Sequence, residues 1–443
     1  MLIKKLFLKW FKLPVWQKVI ICLVLGIITG LTLGPHSAVF KPLGDAFINA
    51  LHMVIVPVIL SAVVCAVISV ADFKEIRRVT FKAFGIYFCF LAVATLLAIA
   101  IGQMIKPGLG LSTLGALDSM HSSKNAIIEI NNSTNSSLPG LGDIFANMIP
   151  RNPVAAFINE NILQIVIFGI LFGIAINLSG QKGQEVAALF RSMSEVSKNL
   201  TNIIMKFAPY GVFALISWTF GLFGLKALLP LLSFIVTLFI ACATLVFIVY
   251  GGIIILYLKD SPFTFFRKIG PAMVFAMSTT SSGATLPVSI RCAEEELRVP
   301  PKIAKFLLPL GCNFNLSGLA IYLTIAVIFT ANIYGITLTS TEYLLLISTV
   351  ILTTMGTGAI PGSGIVVMSA VIATMGMPLG AIPLIAGIDR INDMIQTTTN
   401  VISDIFAAYL VSESEIAKSK AHVSYPIETE EEAVEENITQ AVV

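Results

Sequence analysis

Ionisable side chains are scarce in this chain. Charged residues fill 12% of its 443 positions, about half the share that soluble domains carry. Hydrophobic residues fill 56%, and the mean hydropathy is strongly positive. A soluble globule of this length is excluded, leaving a polytopic protein in contact with the lipid bilayer. Cysteine is sparse and unpaired. Cys22, Cys65, Cys89, Cys242, Cys292 and Cys312 form no CxxC motif and sit mostly in apolar runs, so neither a disulfide frame nor a zinc site is expected. The four histidines, at 36, 52, 121 and 422, are dispersed. A hydrolase built on Ser282 would therefore lack a neighbouring base, and Asp389 and Asp393 share one helix instead of converging from two. No enzyme is expected, and no nucleic-acid partner.

Where polar residues do occur inside an apolar region, they are ordered. Between Lys305 and Arg390 there is no lysine or arginine, and apart from Asp389 the single acid is Glu342. Residues 388–410 then read IDRINDMIQTTTNVISDIFAAYL. Read as a helix, Asp389, Asp393, Gln396, Thr397, Asn400 and Asp404 recur at spacings of three and four and form one stripe. Ile391, Ile395, Ile402, Ile405 and Tyr409 lie opposite. An ionised side chain at mid-membrane costs about 2.5 to 3.5 kcal/mol. Three carboxylates on one stripe therefore demand cations, donors or a wet cavity, and the expectation is an intramembrane site for a cation or a ligand that carries one.

The rest of the chain reads as eight spans and two shorter hairpins. Residues 1–14 alternate basic and bulky apolar side chains, as a helix in the cytoplasmic interface does. Spans are expected at 15–34, 44–71 with a kink at Pro57, 83–105, 161–178, around MKFAPYGVFALI, at 227–258, 303–331 and 388–410. The first has no small-residue cleavage site after it and reads as uncleaved. Basic clusters fall at Lys74, Arg77, Arg78 and Lys82, at Lys182, Arg191 and Lys198 in a loop after span four, and at Lys259, Arg267 and Lys268. Those positions fit eight crossings of the plasma membrane with both termini cytoplasmic. The acidic, polar residues 413–443 read as a disordered tail.

Residues 262–297 and 341–376 do not fit as spans, because AMSTTSSGATLPVS and TTMGTGAIPGSG interrupt their apolar runs. Backbone that leaves helical form in a membrane must line a cavity or be buried in protein, so each is expected to be a re-entrant hairpin with its tip at the site. A weak internal repeat agrees. Gly283-Ala284 precedes Gly311 by 28 residues and Gly358-Ala359 precedes Gly387 by 29, and each later glycine opens a polar stretch.

Four motifs together, TSSGATLP (280–287), FNLSG (314–318), GTGAIPGSG (356–364) and DRINDMIQTTTNVISD (389–404), resemble those of the dicarboxylate/amino acid:cation symporter family. The likeness covers almost all of the chain except the tail. It implies an all-α fold of eight spans and two hairpins with inverted repeats, assembled as a homotrimer. Residues 15–79 and 106–222 would form the scaffold, and residues 80–105 and 223–412 a transport part that moves as an elevator.

The resemblance also implies roles at the site. Asp393 would bind the substrate's α-ammonium, a charge-assisted contact. Ser281, Ser282, Thr397 and Asn400 would surround its α-carboxylate, and Leu319, Ile360, Gly364 and Gln396 would complete the pocket. Acidic-substrate members carry arginine at the position of Gln396 or of Thr280, and without a guanidinium there a side-chain carboxylate lacks its bidentate partner. A neutral amino acid is therefore expected, with a dicarboxylate, an acidic amino acid or cystine as alternatives, and Arg390 is expected to pair with Asp389 or Asp393. Gly311, Asn315, Asn400 and Asp404 would form one sodium site, and Asn313 with the backbone of Thr353, Thr354, Met355 and Thr357 a second. Ser317 replaces the aspartate of the family's NMDGT motif, and Phe90 and Leu91 follow Tyr87 where hydroxyls are usual, so a third site is expected to be lost. Proton coupling is the alternative to sodium.

Overall fold

A computed structural model of the chain describes residues 13, 15–71, 77–109, 149–159, 162–357 and 363–423. These residues are helical throughout, without a strand among them. By length and composition, four stretches are apolar enough to cross a membrane: Gln17–Cys65, Val79–Ile105, Ala208–Leu258 and Pro301–Tyr334. The shorter helices Gln164–Leu178, Ser340–Met355 and Gly364–Thr374 are also apolar. The expected N-terminal interfacial helix, Lys74 and the Gly358-Ala359 pair lie outside the described residues.

Glycine pairs set the first packing layer. Helix α1 (Val15–Leu33) is followed by α2 (Lys41–Met53), α3 (Ile55–Ala71), α4 (Arg77–Ile105), α5 (Pro153–Ile158), α6 (Ile162–Leu178), α7 (Gln184–Met205) and α8 (Ala208–Phe223). α1 packs along α8, and α3 along α6. In α1 a Cβ on Gly30 would stand 2.5 Å from Ser217 O, and one on Gly26 would stand 3.0 Å from Ile216 Cγ2. In α6, Gly169 and Gly173 receive Val63 and Val67 in the same way. Both pairs have the GxxxG spacing that lets helix backbones approach where hydrocarbon surrounds them. Replacing Gly30 by Leu should therefore lower the melting temperature of the purified protein by several degrees. Gly85→Ala, in α4 with no atom near its Cβ, should leave it unchanged or slightly raised. Equal melting curves for the two variants would refute the close approach.

Span two kinks at its expected proline: Pro57 has no N–H to return to residue 53, α2 ends at Met53, and α3 restarts after Val54 with Val58 N bonding Val54 O at 3.0 Å. One expected element is corrected here. The stretch with Arg191 and Lys198 is no loop. It is the amphipathic α7, which buries Ala187, Ser194, Ser197, Thr201 and Ile204 at helical spacing and turns its charges outward.

The second half holds the site. α9 (Leu228–Ala243) continues through wider π-type turns at Thr244–Tyr250 and Ile254–Leu258. α10 (Pro262–Thr279) and α11 (Ser282–Arg291) form the first expected hairpin, reversing at Thr280, whose φ of 51° lies in the left-handed region. Span seven is not continuous. It divides into α12 (Pro301–Phe314) and α13 (Ser317–Tyr334), with Asn315 and Leu316 outside helical geometry. α14 (Ser340–Thr357) and α15 (Ser363–Thr374) fall where the two arms of the second hairpin are expected, and residues 358–362 lie outside the described residues.

α16 (Ile382–Val423) runs through the middle, in contact with α4 and α8 to α13 and with α15. Its 42 residues span about 60 Å at 1.5 Å each, twice the hydrocarbon thickness. The expected disordered tail is thus corrected over 413–423, which continue the helix. Glu415 is held by Lys82 of α4 at 2.9 Å. Residues 424–443 lie outside the described residues.

Candidate functional site

Every member of the polar stripe is buried: Asp389, Asp393, Gln396, Thr397, Asn400 and Asp404 are each 2–6% exposed. The opposite face is inside too, with Ile402 and Ile405 fully packed, so α16 presents no solvated side to explain its acids. Each acid has distinct partners. Tyr322 of α13 donates its hydroxyl to Asp389 Oδ1 at 3.0 Å. Asp393 Oδ1 accepts from Gln396 Nε2 at 3.0 Å and from Thr397 Oγ1 at 3.2 Å. Its Oδ2 accepts no hydrogen bond and faces Arg390 Nη1 at 3.8 Å. Of the two partners expected for Arg390, the structure selects Asp393.

The first hairpin reaches the same place. Ser281 caps α11 by accepting from Ala284 N at 3.2 Å, Thr280 donates its hydroxyl to Thr279 O at 2.8 Å, and Ser282 O accepts from Cys312 Sγ at 3.6 Å. From the second hairpin, Gly364 lies against Gln396, where a Cβ would stand 3.0 Å from Nε2. Leu319 is buried at the start of α13. Ile360 lies outside the described residues.

The break in span seven is stabilised from α16. The first N–H groups of α13 have no partner in their own helix, and Asn400 Oδ1 caps them, accepting from Gly318 N at 2.7 Å and Leu319 N at 3.4 Å. One turn on, Asp404 Oδ1 accepts from Asn315 Nδ2 at 3.1 Å. Gly311 lets that carboxylate approach, since a Cβ there would stand 2.6 Å from Oδ1. Asp404 Oδ2 is buried and accepts no hydrogen bond. A carboxylate oxygen left free beside a glycine and two amides is a donor set that suits a hard cation. Thr353, Thr354 and Thr357 are buried near the end of α14, whereas Asn313 is exposed and returns its amide to Pro309 O at 2.9 Å.

Sequence reasoning missed a hydroxyl network beside Asp404. Tyr250 OH meets Ser403 Oγ at 2.7 Å, Ser403 meets Ser317 at 3.1 Å, and Ser317 donates to Asn315 Oδ1 at 3.1 Å. Ser403 stands three residues after Asn400, so the same spacing rule could have found it. Tyr250 and Tyr322 lie in apolar helices and gave no signal. Asn392 is fully buried with neither amide atom bonded.

Apolar helices packed around one buried polar helix define a helical membrane protein. The sodium:dicarboxylate symporter family matches residues 15–414, and the chain belongs to that family, which is one of transporters. It is 33% identical over 409 residues to the proton/sodium-glutamate symport protein of Geobacillus stearothermophilus, covering 90% of this chain and 94% of that protein. Against the proton/glutamate-aspartate symporter of Escherichia coli (strain K12) the identity is 32%, covering 90% and 92%. Against the C4-dicarboxylate transport protein of Bacillus subtilis (strain 168) it is 31%, covering 90% and 93%. The expected coupling to sodium or protons accords with these names. The expected neutral substrate does not, since none of the three is named for one.

Proposed function

We propose that the chain is a secondary active symporter that takes up a neutral α-amino acid with sodium. It would act as a homotrimer with both termini cytoplasmic, crossing the plasma membrane eight times. Residues 80–105 and 223–412 would move as an elevator against a scaffold of 15–79 and 106–222. Asp393 Oδ2, free of hydrogen bonds, would take the α-ammonium, a contact strengthened by a low-dielectric site. Ser281, Ser282, Thr397 and Asn400 would hold the carboxylate end, and Leu319, Ile360 and Gly364 would bound the side chain. Sodium would sit among Gly311, Asn315, Asn400 and Asp404, with a second ion at Thr353, Thr354 and Thr357 beside Asn313.

The observation that carries the substrate class is Gln396. The resemblance calls for a guanidinium there or at the position of Thr280 in acidic-substrate members, and this chain has a neutral amide tied to Asp393 at the first and a threonine at the second. A second reading, an acidic amino acid or a dicarboxylate, is favoured by the names of the relatives and by Arg390, whose Nε is buried without a hydrogen bond. Counterflow in liposomes across neutral and acidic amino acids and succinate, with sodium or choline, decides between them. Neutral substrates should exchange in sodium, and exchange of glutamate or succinate alone would reject the proposal.

Gln396→Arg should move selectivity the other way. A bidentate guanidinium–carboxylate pair is worth roughly 1.5–3 kcal/mol, so uptake of aspartate relative to alanine should rise by about tenfold or more. An unchanged ratio, with the variant folded and active, would refute the role of this position.

A further inference from the structure

We infer that a cavity between the ends of α4 and α13 and the start of α14 holds one anionic phospholipid of the outer leaflet. This goes beyond the substrate reading and does not depend on it. It uses only the orientation in which Arg77, Arg78 and Lys82, at the opposite end of α4, are cytoplasmic. The cavity measures about 600 Å³, within the range of small-molecule sites. Its walls are of two kinds: Ile99, Ile328 and Ile336 are apolar, and Lys106, Thr337 and Tyr343 are polar.

Charge decides the class of head group. Among the described residues Lys106 is the only charged one in the lining, and its ammonium forms no ion pair with another of them. The acid beside Tyr343, Glu342, is spent on the cap of α14, accepting from Thr339 N at 2.6 Å and Thr339 Oγ1 at 2.8 Å. Lys106 ends α4 with a φ of 50°, in the left-handed region that glycine takes more easily, so a cation stands where the backbone favours a residue without a side chain. The turn that carries it is fixed, since Lys106 N bonds Gly102 O at 2.8 Å and Asn332 Nδ2 donates to Pro107 O at 2.8 Å. Gln103 donates to the Tyr343 hydroxyl, which leaves the phenol proton for another acceptor. An ammonium, a phenol and the exposed Thr337 hydroxyl suit the oxygens of a phosphate.

Free phosphate would leave the apolar wall unused. Beside the cavity Met104 is 82% exposed, Leu109 55% and Leu344 47%, apolar surface that a bilayer covers with hydrocarbon. The 29 residues of α4 span about 44 Å at 1.5 Å each, more than the hydrocarbon core, which sets Lys106 at the level of the head groups. A phosphate joined to an acyl chain satisfies both walls.

Native mass spectrometry and melting of the purified full-length protein test this. Dioleoyl-phosphatidylglycerol should stay bound and raise the melting temperature by several degrees, and dioleoyl-phosphatidylcholine, which has no net charge, should do so less. Lys106→Gln should weaken phosphatidylglycerol binding roughly fivefold, the effect of one cation near a lipid surface. Lys226→Gln, exposed in the turn between α8 and α9, should leave it unchanged. Leu109→Trp adds bulk to the lining and should also lower lipid retention, without changing the melting temperature of lipid-free protein. Wild-type retention of phosphatidylglycerol by Lys106→Gln or Leu109→Trp would overturn the inference, as would equal binding of the two lipids. The same stabilisation by inorganic phosphate alone would assign the cavity to a free anion and overturn the lipid.

Discussion

Asp393→Asn is expected to lower amino acid uptake on the order of a hundredfold or more while leaving the protein folded. The reasoning starts from charge. Asp393 Oδ2 is a buried carboxylate oxygen that accepts no hydrogen bond, with Arg390 Nη1 at 3.8 Å. An α-ammonium brought to it would form a charge-assisted hydrogen bond away from water, and truncating one partner of such a buried pair costs about 2–5 kcal/mol. Each 1.4 kcal/mol is about tenfold in affinity. The asparagine keeps one acceptor for Gln396 and Thr397, so the local fold of α16 should survive, as size-exclusion and melting profiles would report. A dicarboxylate has no ammonium and should gain nothing from Asp393, so succinate uptake would be spared or improved in the variant. Full amino acid uptake by a folded Asp393→Asn protein would remove Asp393 from the site.

Much of this arrangement was legible because the signals were local. Asp389, Asp393, Gln396, Asn400 and Asp404 repeat at helical spacing within an apolar region, and no hydrocarbon-facing helix tolerates that pattern. The breaker clusters near 280 and 358 marked both hairpins, and the arms at Pro262–Thr279, Ser282–Arg291, Ser340–Thr357 and Ser363–Thr374 follow those bounds closely. What escaped depends on distant partners. Nothing near Asn315 announces that span seven breaks there, because the cap for α13 comes from Asn400, 82 residues after Gly318. Charge misled the reading of α7, where Arg191 and Lys198 suggested a loop although the buried positions kept helical spacing. It misled again beyond Val411, where Lys82 meets Glu415 at 2.9 Å and fastens a helix whose composition resembles a tail.

Asp404→Asn should raise the sodium concentration for half-maximal uptake by roughly tenfold or more. The free Oδ2 is the formal negative charge that the expected ion would meet, among the Gly311 backbone and the side chains of Asn315 and Asn400. Exchanging it for an amide removes one unit of attraction in a region of low dielectric. Gly311→Ala tests the same geometry without touching charge. Its Cβ would press on Asp404 Oδ1 at 2.6 Å, displacing the carboxylate and giving a shift in the same direction but smaller. Beside them, Ser317 spends its hydroxyl on Asn315 and Ser403, and Ser403 meets Tyr250. That network is neutral and hydrogen-bonded along its length, so it offers no second charge to balance another cation near Asp404. Sodium dependence of uptake should therefore show a Hill coefficient of about two or less. If uptake by Asp404→Asn follows sodium as the wild type does, the coupling ion binds elsewhere. If the wild type works equally in choline with an imposed proton gradient, the coupling ion is the proton.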